Sequence, residues 1–439
     1  MTATIRARLV GAAILGVLAG CSSPTAQGTA DAGAEPPGDG GLEGPIDLPG
    51  DDASGSETST GDVGNDAPVT IAPTLVDCKF GAPEANSPKC KRDKAGGLGE
   101  GPALSSGVPG MPFGYGFLDG DRLIVALGKR FFSSAEPLQG VLATIDLRTG
   151  NRTFVSGTWQ DPATGPVTAG KGPLFGDVGD VQKGEGGWYV FADRHAPPQD
   201  TPNRSIYRVD PATGDRTLVA NLDEGPCTLV VGGRPDSYAG RMVVASSSTF
   251  FFPFVTTGPT YGIMKVAVAA GKATCSPLSA SPASSPLQAG SGPTLEGLVA
   301  GLTLEGGSLY AIDTAAGALL KIDPATGARV RISSERDKIG SGQAPIRKSH
   351  LTIRKGKAYL FGVPSGANAT RTSSPHTIVD LATGARTSTE TSGDGPALDV
   401  GSANPVWAHP SWPFLILAQD DEILLFDPQT ANRNYVSYR

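Results

Sequence analysis

From residue 108 onward the chain alternates short apolar runs with Gly-, Pro- and Asp-rich breaks, and no stretch holds a helical period. Runs such as "ALLKID", "SIYRVD" and "EILLFD" are almost continuously apolar, the pattern of strands covered on both faces. Each is followed by a turn and a further run, "RTFVS", "RTLVA" or "RVRIS". Two more strands lie upstream. "LTLEGGSLYAID" (302–313) and "LTIRKGKAYLFG" (351–362) align without a gap, as a strand pair around a Gly-containing turn. "RLIVAL", "GWYVFAD", "RMVVAS" and "FLILAQ" fit the second-strand role elsewhere. The unit is therefore four short strands and three turns.

The break before the last strand repeats. It reads "DLRTGNR" at 146, "DPATGDR" at 210, "DPATGAR" at 323, "DLATGAR" at 380 and "DPQTANR" at 427, with a degraded "AVAAGKA" at 267. Successive copies lie 47 to 64 residues apart. Recurrence of a four-stranded unit at this period predicts an all-β chain, a six-bladed β-propeller over residues 108–439. Each turn residue has a structural job. Asp323 can accept from backbone N–H groups two and three residues on, Pro324 presets φ, and Gly327 supplies a positive φ. Arg329 is then expected to open the outermost strand with its head in solvent. The five aspartates of these turns fall on outer hairpins and cannot converge on one ligand. Ala431 replaces the glycine in the last copy, which predicts a strained or differently shaped turn.

The first 107 residues follow other rules. Residues 1–20 place Arg6 and Arg8 before an apolar run too short to span a bilayer, the layout of a secretory signal. Its end, "VLAGC", resembles the lipobox of bacterial lipoproteins. That resemblance implies cleavage before Cys21 and diacylglycerol on its thiol, and Ser22 then favours the outer membrane over retention. Residues 21–72 hold ten Asp and Glu, no Lys or Arg, and little that is large and apolar, so they are expected to form a disordered, self-repelling tether. Without tether and leader, the net charge of −7 becomes +1 for residues 71–439, which leaves no footprint for nucleic acid. Residues 73–107 form a Cys-containing segment suited to bracing the ring closure. Cys78, Cys90, Cys227 and Cys275 are an even set for an oxidising compartment. Of the three connectivities, Cys78–Cys90 and Cys227–Cys275 suit the local spacing.

The blade pattern resembles the six-bladed NHL and SMP-30 group of propellers. It differs from quinoprotein repeats, which carry a Trp after the turn. Phe154, Leu218, Arg331 and Ser388 stand there instead, which argues against pyrroloquinoline quinone. Propeller sites lie at the axis, and the innermost-strand entries read Tyr115, Asp177 with Asp180, Cys227, Glu296, His350, and Trp407 with His409. The SMP-30 resemblance implies that Asp180, Glu296, His350 and His409 would serve as ligands for Ca²⁺ or another divalent metal, in a hydrolase or lyase. No zinc spacing, no G-x-S-x-G and no coherent catalytic set accompanies them, and no cofactor is otherwise expected. "GGLGEG" (96–101) lacks the strand and helix of a phosphate loop. "TFFFPF" (249–254) is read as an insertion between the second and third strands of its unit, either packed or protruding towards a partner; "HAPPQDTPN" (195–203) is its polar counterpart. The favoured function is a monomeric, lipid-anchored binding or scaffold module for a protein or glycan; the enzyme is the alternative.

Overall fold

The computed structural model describes residues 73–76, 87, 89–90, 98–102, 113–128, 140–161, 165–176, 178–192, 204–224, 227, 241–255, 260–281, 287–362, 376–388, 394, 396, 405–419 and 422–438. Cys21, Cys78, Asp177, the tether up to residue 72 and residues 195–203 lie outside them. The described elements are all strands, in six antiparallel sheets. Blade 1 holds β1 (Phe113–Asp119), β2 (Arg122–Leu127), β3 (Val141–Asp146), β4 (Arg152–Asp161) and an added β5 (Gly165–Ala169). Blade 2 holds β6 (Val178–Gly184), β7 (Gly187–Ala192), β8 (Ser205–Val209) and β9 (Arg216–Asn221). Blade 3 holds β10 (Val243–Ser246), β11 (Thr249–Val255), β12 (Tyr261–Ala269) and β13 (Lys272–Ser281). Blade 4 holds β14 (Val299–Glu305), β15 (Ser308–Asp313), β16 (Ala318–Ile322) and β17 (Arg329–Ser334). Blade 5 holds β18 (His350–Arg354), β19 (Lys357–Phe361), β20 (His376–Asp380) and β21 (Arg386–Thr387). Blade 6 holds β22 (Val406–Ala408), β23 (Leu415–Gln419), β24 (Glu422–Phe426) and β25 (Arg433–Tyr438). Each sheet keeps its strands in sequence order.

Alternation along the strands makes the ring. In β2, Leu123, Val125 and Leu127 enter a core shared with blade 6, while Ile124 and Ala126 enter one shared with blade 2. Six such cores fill the six interfaces, and the one joining blade 6 to blade 1 closes the circle. A strand covered on both faces has no polar register, which explains the continuous apolar runs. The chain is a six-bladed β-propeller.

"TFFFPF" corrects one expectation. It is β11, the second strand of blade 3, and "RMVVAS" supplies the innermost strand instead. Phe250, Phe252 and Phe254 pack towards blade 2 and Phe251 towards blade 4, all at most 4% exposed. The run is aromatic because both its faces are interior, so it offers no protruding loop.

The DPATG turn folds as its residues dictate. Asp323 Oδ1 accepts from Ala325 N at 2.8 Å, Asp323 Oδ2 from Thr326 Oγ1 at 2.7 Å, and Gly327 N donates to Asp323 O at 2.8 Å. These bonds hold the Asp323 carboxyl below its usual range, the backbone bond from Ala325 first. Gly327 has φ +72°, and a Cβ there would meet Leu278 O at 1.7 Å. Ala431 keeps the left-handed conformation, φ +61°, in spite of its Cβ. The neighbour equivalent to Leu278 around that turn, residue 389, is outside the described residues.

The arginine that follows the turn departs from expectation. Arg152, Arg216, Arg329 and Arg433 are 4–6% exposed, and their heads do not reach solvent. Each enters a second repeated stretch in the preceding linker: "LGEGP" (98–102), "AGKGP" (169–173), "AGSGP" (289–293), "IGSGQ" (339–343) and "SGDGP" (392–396). Arg329 donates to Pro293 O at 3.0 Å, Ala289 O at 3.0 Å and Ser279 Oγ of blade 3 at 2.7 Å, and its own N–H bonds Ser291 O at 2.8 Å. Arg216 repeats this on Pro173 O, Ala169 O and Ser156 Oγ, and Arg386 on Ile339 O, Gly342 O and Ser333 Oγ. Arg433 reaches Pro396 O, and Arg152 reaches Pro102 O, Leu98 O and Ser437 Oγ. A carbonyl cradle lined by glycines thus takes a guanidinium and ties each outer strand to the blade before it. "GGLGEG" belongs to one of these cradles.

Blade 3 lacks the arginine: Cys275, paired with Val266 as Arg329 is with Ile322, stands in its place. There the Cys227–Cys275 disulfide, Cα–Cα 4.7 Å, ties the outer strand β13 to the preceding linker instead. Cys90 is also disulfide-bonded. The segment before blade 1 runs along β25: Leu98 bridges Tyr438, Lys89 O accepts from Tyr435 N at 2.8 Å, and Val76 N donates to Asn434 Oδ1 at 2.7 Å.

Candidate functional site at the propeller axis

The innermost strands β1, β6, β10, β14, β18 and β22 surround a cavity of about 420 Å³. Every blade lines it: Phe117, Lys183, Arg241, Thr303, Thr352 and Trp407 represent blades 1 to 6 in turn. These residues lie mostly in the later halves of their strands, so the cavity sits towards the ends where the strands exit. The sequence had pointed to the entry ends. Entry loops are rich in polar residues that cap strands, whereas the cavity wall is built from side chains within the strands.

The cavity ends against a layer of polar groups. β1 is irregular in its register between Phe113 and Gly116. Gly116 O accepts from Trp407 Nε1 at 2.7 Å and from Arg241 Nη2 at 2.6 Å, so one carbonyl of blade 1 gathers blades 3 and 6. Arg241 Nη2 also lies 3.4 Å from Gln182 Oε1. Protein crowds Arg241 on all sides, yet its side chain is only half-buried, because its free face belongs to the cavity wall. Burial lowers the guanidinium from its ordinary value, and Asp180 and Tyr115 pull it back.

Asp180 is 2% exposed and accepts from Gln182 Nε2 at 2.8 Å and Met242 N at 2.6 Å. Burial pushes its carboxyl up to about 7, against Arg241 and those hydrogen bonds. His350 is buried and packs against the Tyr115 ring, centroids 5.2 Å apart, which joins blades 5 and 1 across the axis. Asp180, Tyr115 and His350 thus belong to the axial layer.

The other two candidates lie elsewhere. Glu296 pairs with Arg336 and, at 3.5 Å, with Arg331 of the outermost strand β17. His409 follows the end of β22 and stacks on Trp412, centroids 4.1 Å apart. Its Nδ1 accepts from Ser411 and Trp412 N–H, and its Nε2 is 3.3 Å from Asp121 Oδ1. Burial lowers its pKa, with Asp121 opposing. Cys227, read as a strand entry, is half of the disulfide. Among the described residues, no three His, Cys, Asp or Glu gather as a metal-ligand set. Asp180, Glu296, His350 and His409 do not fit a divalent ion together: Asp180, Glu296 and His409 are held by protein partners at different places in the ring. Arg241 had gone unremarked, for it sits in the one unit whose DPATG copy is degraded.

No family model matches the chain, and no curated protein matches it. Solved structures do. A protein of unknown function from Bacteroides thetaiotaomicron is 11% identical, with TM-score 0.38 over 78% of this chain and 75% of that one. A putative 6-phosphogluconolactonase from Bacteroides fragilis is 14% identical, with TM-score 0.37 over 73% and 95%. TolB from Acinetobacter baumannii is 13% identical, with TM-score 0.39 over 67% and 59%. The propeller assignment rests on strand order and on the six shared cores.

The cavity wall combines two cations, Lys183 and Arg241, with one carboxylate, Glu305. Lys183 is already paired with Asp119 at 2.8 Å. Hydroxyls of Thr303 and Thr352 and apolar groups from β10, β18 and β22 complete the wall. Such a wall can hold and orient a polar solute, or the tip of a larger partner.

Proposed function

We propose that this chain is a lipid-anchored, extracytoplasmic propeller that works as a binding or scaffold module, presenting its axial cavity to a protein or glycan. The observation that carries the binding reading is the cavity itself, which all six blades line with mixed polar and apolar groups. Its volume falls within the range of small-molecule sites. The "VLAGC" stretch supports the anchor, with Cys21 as the acylated residue and the outer membrane as the destination.

Two measurements test this reading. Full-length protein in detergent micelles, screened against oligosaccharides and envelope proteins, is expected to show saturable binding. Thr352→Val and Thr303→Val are expected to weaken it; binding indifferent to both would remove the cavity from the function. In the native host, Cys21→Ala is expected to abolish acyl incorporation and membrane fractionation, and retained acylation would overturn the anchor. Metal-dependent hydrolysis is the alternative reading, against which stand the protein partners of Glu296 and His409. Elemental analysis of purified protein decides it: a stoichiometric divalent ion would revive the enzyme, and none would leave the binding module.

A further inference from the structure

The charged groups of the cavity are placed unevenly. Lys183 and Glu305 are exposed, and Lys183 is spent on Asp119. Arg241 instead sits among Gly116, Gln182 and the indole of Trp407, deep in the wall. Its Nη2 is engaged by Gly116 O and Gln182 Oε1, while Nη1 and Nε make no hydrogen bond among the described residues. Neither is a buried orphan atom, and Arg241 lines the cavity. A guanidinium held by one nitrogen, with its other donors facing a cavity, is pre-oriented for a planar anion.

The rest of the wall says what the anion is attached to. Thr303, Thr352 and Gln182 offer hydroxyl and amide groups that both donate and accept, the pairing that sugar hydroxyls need. Leu304, Ile353 and the Trp407 side chain offer surfaces for C–H faces. A cavity of about 420 Å³ accommodates one or two sugar rings and no extended chain.

Resting on the binding-module reading, we infer that the axial cavity is a site for a sugar acid, with the carboxylate on Arg241 and the ring hydroxyls on Thr303, Thr352 and Gln182. Arg241 is then the residue that separates acidic from neutral sugars, since a carboxylate takes two charge-assisted hydrogen bonds from its free donors where a neutral hydroxyl takes weaker ones.

The test uses full-length protein in detergent, titrated calorimetrically with galacturonate and glucuronate and, in parallel, with galactose, glucose and inorganic phosphate. Saturable one-to-one binding of a uronate, at least about tenfold tighter than its neutral counterpart, is expected. Arg241→Gln is expected to erase that preference while keeping weak binding of both sugars. Because Arg241 also braces Gly116, Thr352→Val serves as a second probe that leaves that brace in place. It is expected to weaken uronate and neutral sugar alike with the melting temperature unchanged. Equal affinity for acidic and neutral sugars would overturn the inference and leave the binding module standing. Phosphate displacing the uronate without sugar dependence would reduce the site to a general anion site and overturn the sugar assignment. No binding of any of the sugars would also overturn it, and the partner screen above would then decide the module on its own.

Discussion

Blades 3 and 4 perform the same mechanical task by different chemistry. In blade 4, Arg329 lies in a cradle of Ala289, Pro293 and Ser279 oxygens and fastens β17 to the blade before it. In blade 3 the arginine is absent, the linker reads "LDEGP" (222–226) with Asp223 for the first glycine, and the Cys227–Cys275 bond fastens β13 at the corresponding place. Either device keeps an outer strand from peeling off a flat sheet edge. The polar clamp needs no oxidant but requires every one of its buried carbonyls to be met. The covalent one tolerates a departure from the linker pattern, and the linker before blade 3 keeps Gly225 and Pro226 but carries Asp223 at the first glycine.

The comparison can be broken in stages. The largest effect is expected from Cys227→Ala with Cys275→Ala. The bond closes a loop of 48 residues, and chain entropy puts its loss at about 4 kcal/mol. Denaturant titration with and without reductant checks this; an unchanged midpoint would mean the linker is fastened by other contacts. Next comes Arg329→Met, which strands three buried acceptors and is expected to cost about 2–4 kcal/mol. Lys272→Met, at the hairpin tip ahead of Cys275 in blade 3, is expected to stay within about 0.5 kcal/mol because that side chain is exposed. Equal costs at the two sites would refute the division of labour.

A smaller contrast separates the axis from the blade interfaces through pH. Asp180 has its carboxyl raised from 3.8 to about 7 by burial, so the native state binds that proton more tightly than the unfolded chain does. Its contribution to stability is whole below about 4 and is lost as pH rises to about 7, by a few kcal/mol at most. His376 in β20 is 0% exposed, stacks on Phe361 and is lowered to about 4, chiefly by burial. Its contribution is whole above about 6.5 and is lost as pH falls towards 4. Asp180→Asn is therefore expected to gain stability relative to the wild type as pH rises from 4 to 7, in melting curves taken across that range. His376→Phe should gain in the opposite direction. A small effect of opposite sign belongs to Ala431→Gly, which relieves a left-handed alanine and should stabilise by at most about 1 kcal/mol. Gly327→Ala, which drives a Cβ into Leu278 O, should destabilise by more than that.

The fold was legible because its unit repeats. Five good copies of one turn and a degraded sixth count the blades, and Asp323, Pro324 and Gly327 act as their chemistry requires. The clamp was equally repeated and still overlooked, because the glycine stretches at 98–102, 169–173 and 289–293 are loops, and only "GGLGEG" (96–101) was weighed, as a phosphate loop. An arginine opening an edge strand is usually solvated, and nothing local to Arg329 shows that a carbonyl cradle 36 residues upstream awaits it. "TFFFPF" misled for a related reason: a run with no polar register is the mark of a doubly covered strand, but its unit's damaged turn shifted the strand count. The axial site was least legible. Arg241 repeats nowhere and carries no spacing, and Gln182, Thr303 and Thr352, which share one register position of the innermost strand, have no residue type in common, so only three dimensions mark them as one wall.

The strand pairing of the first described residues with the last has a kinetic cost. Val76 bonds Asn434 across 358 residues, and closing that loop is harder than closing the 48-residue disulfide loop by about 2 kcal/mol. A chain emerging from its N-terminus can stack blades 1 to 5 on one another as each is completed. Leu98 and the Arg152 cradle must wait for β25 before they are met, since Ser437 and Tyr438 are among their partners. Until then the apolar faces of blades 1 and 6 have no cover, so aggregation competes with the last step of folding rather than the first.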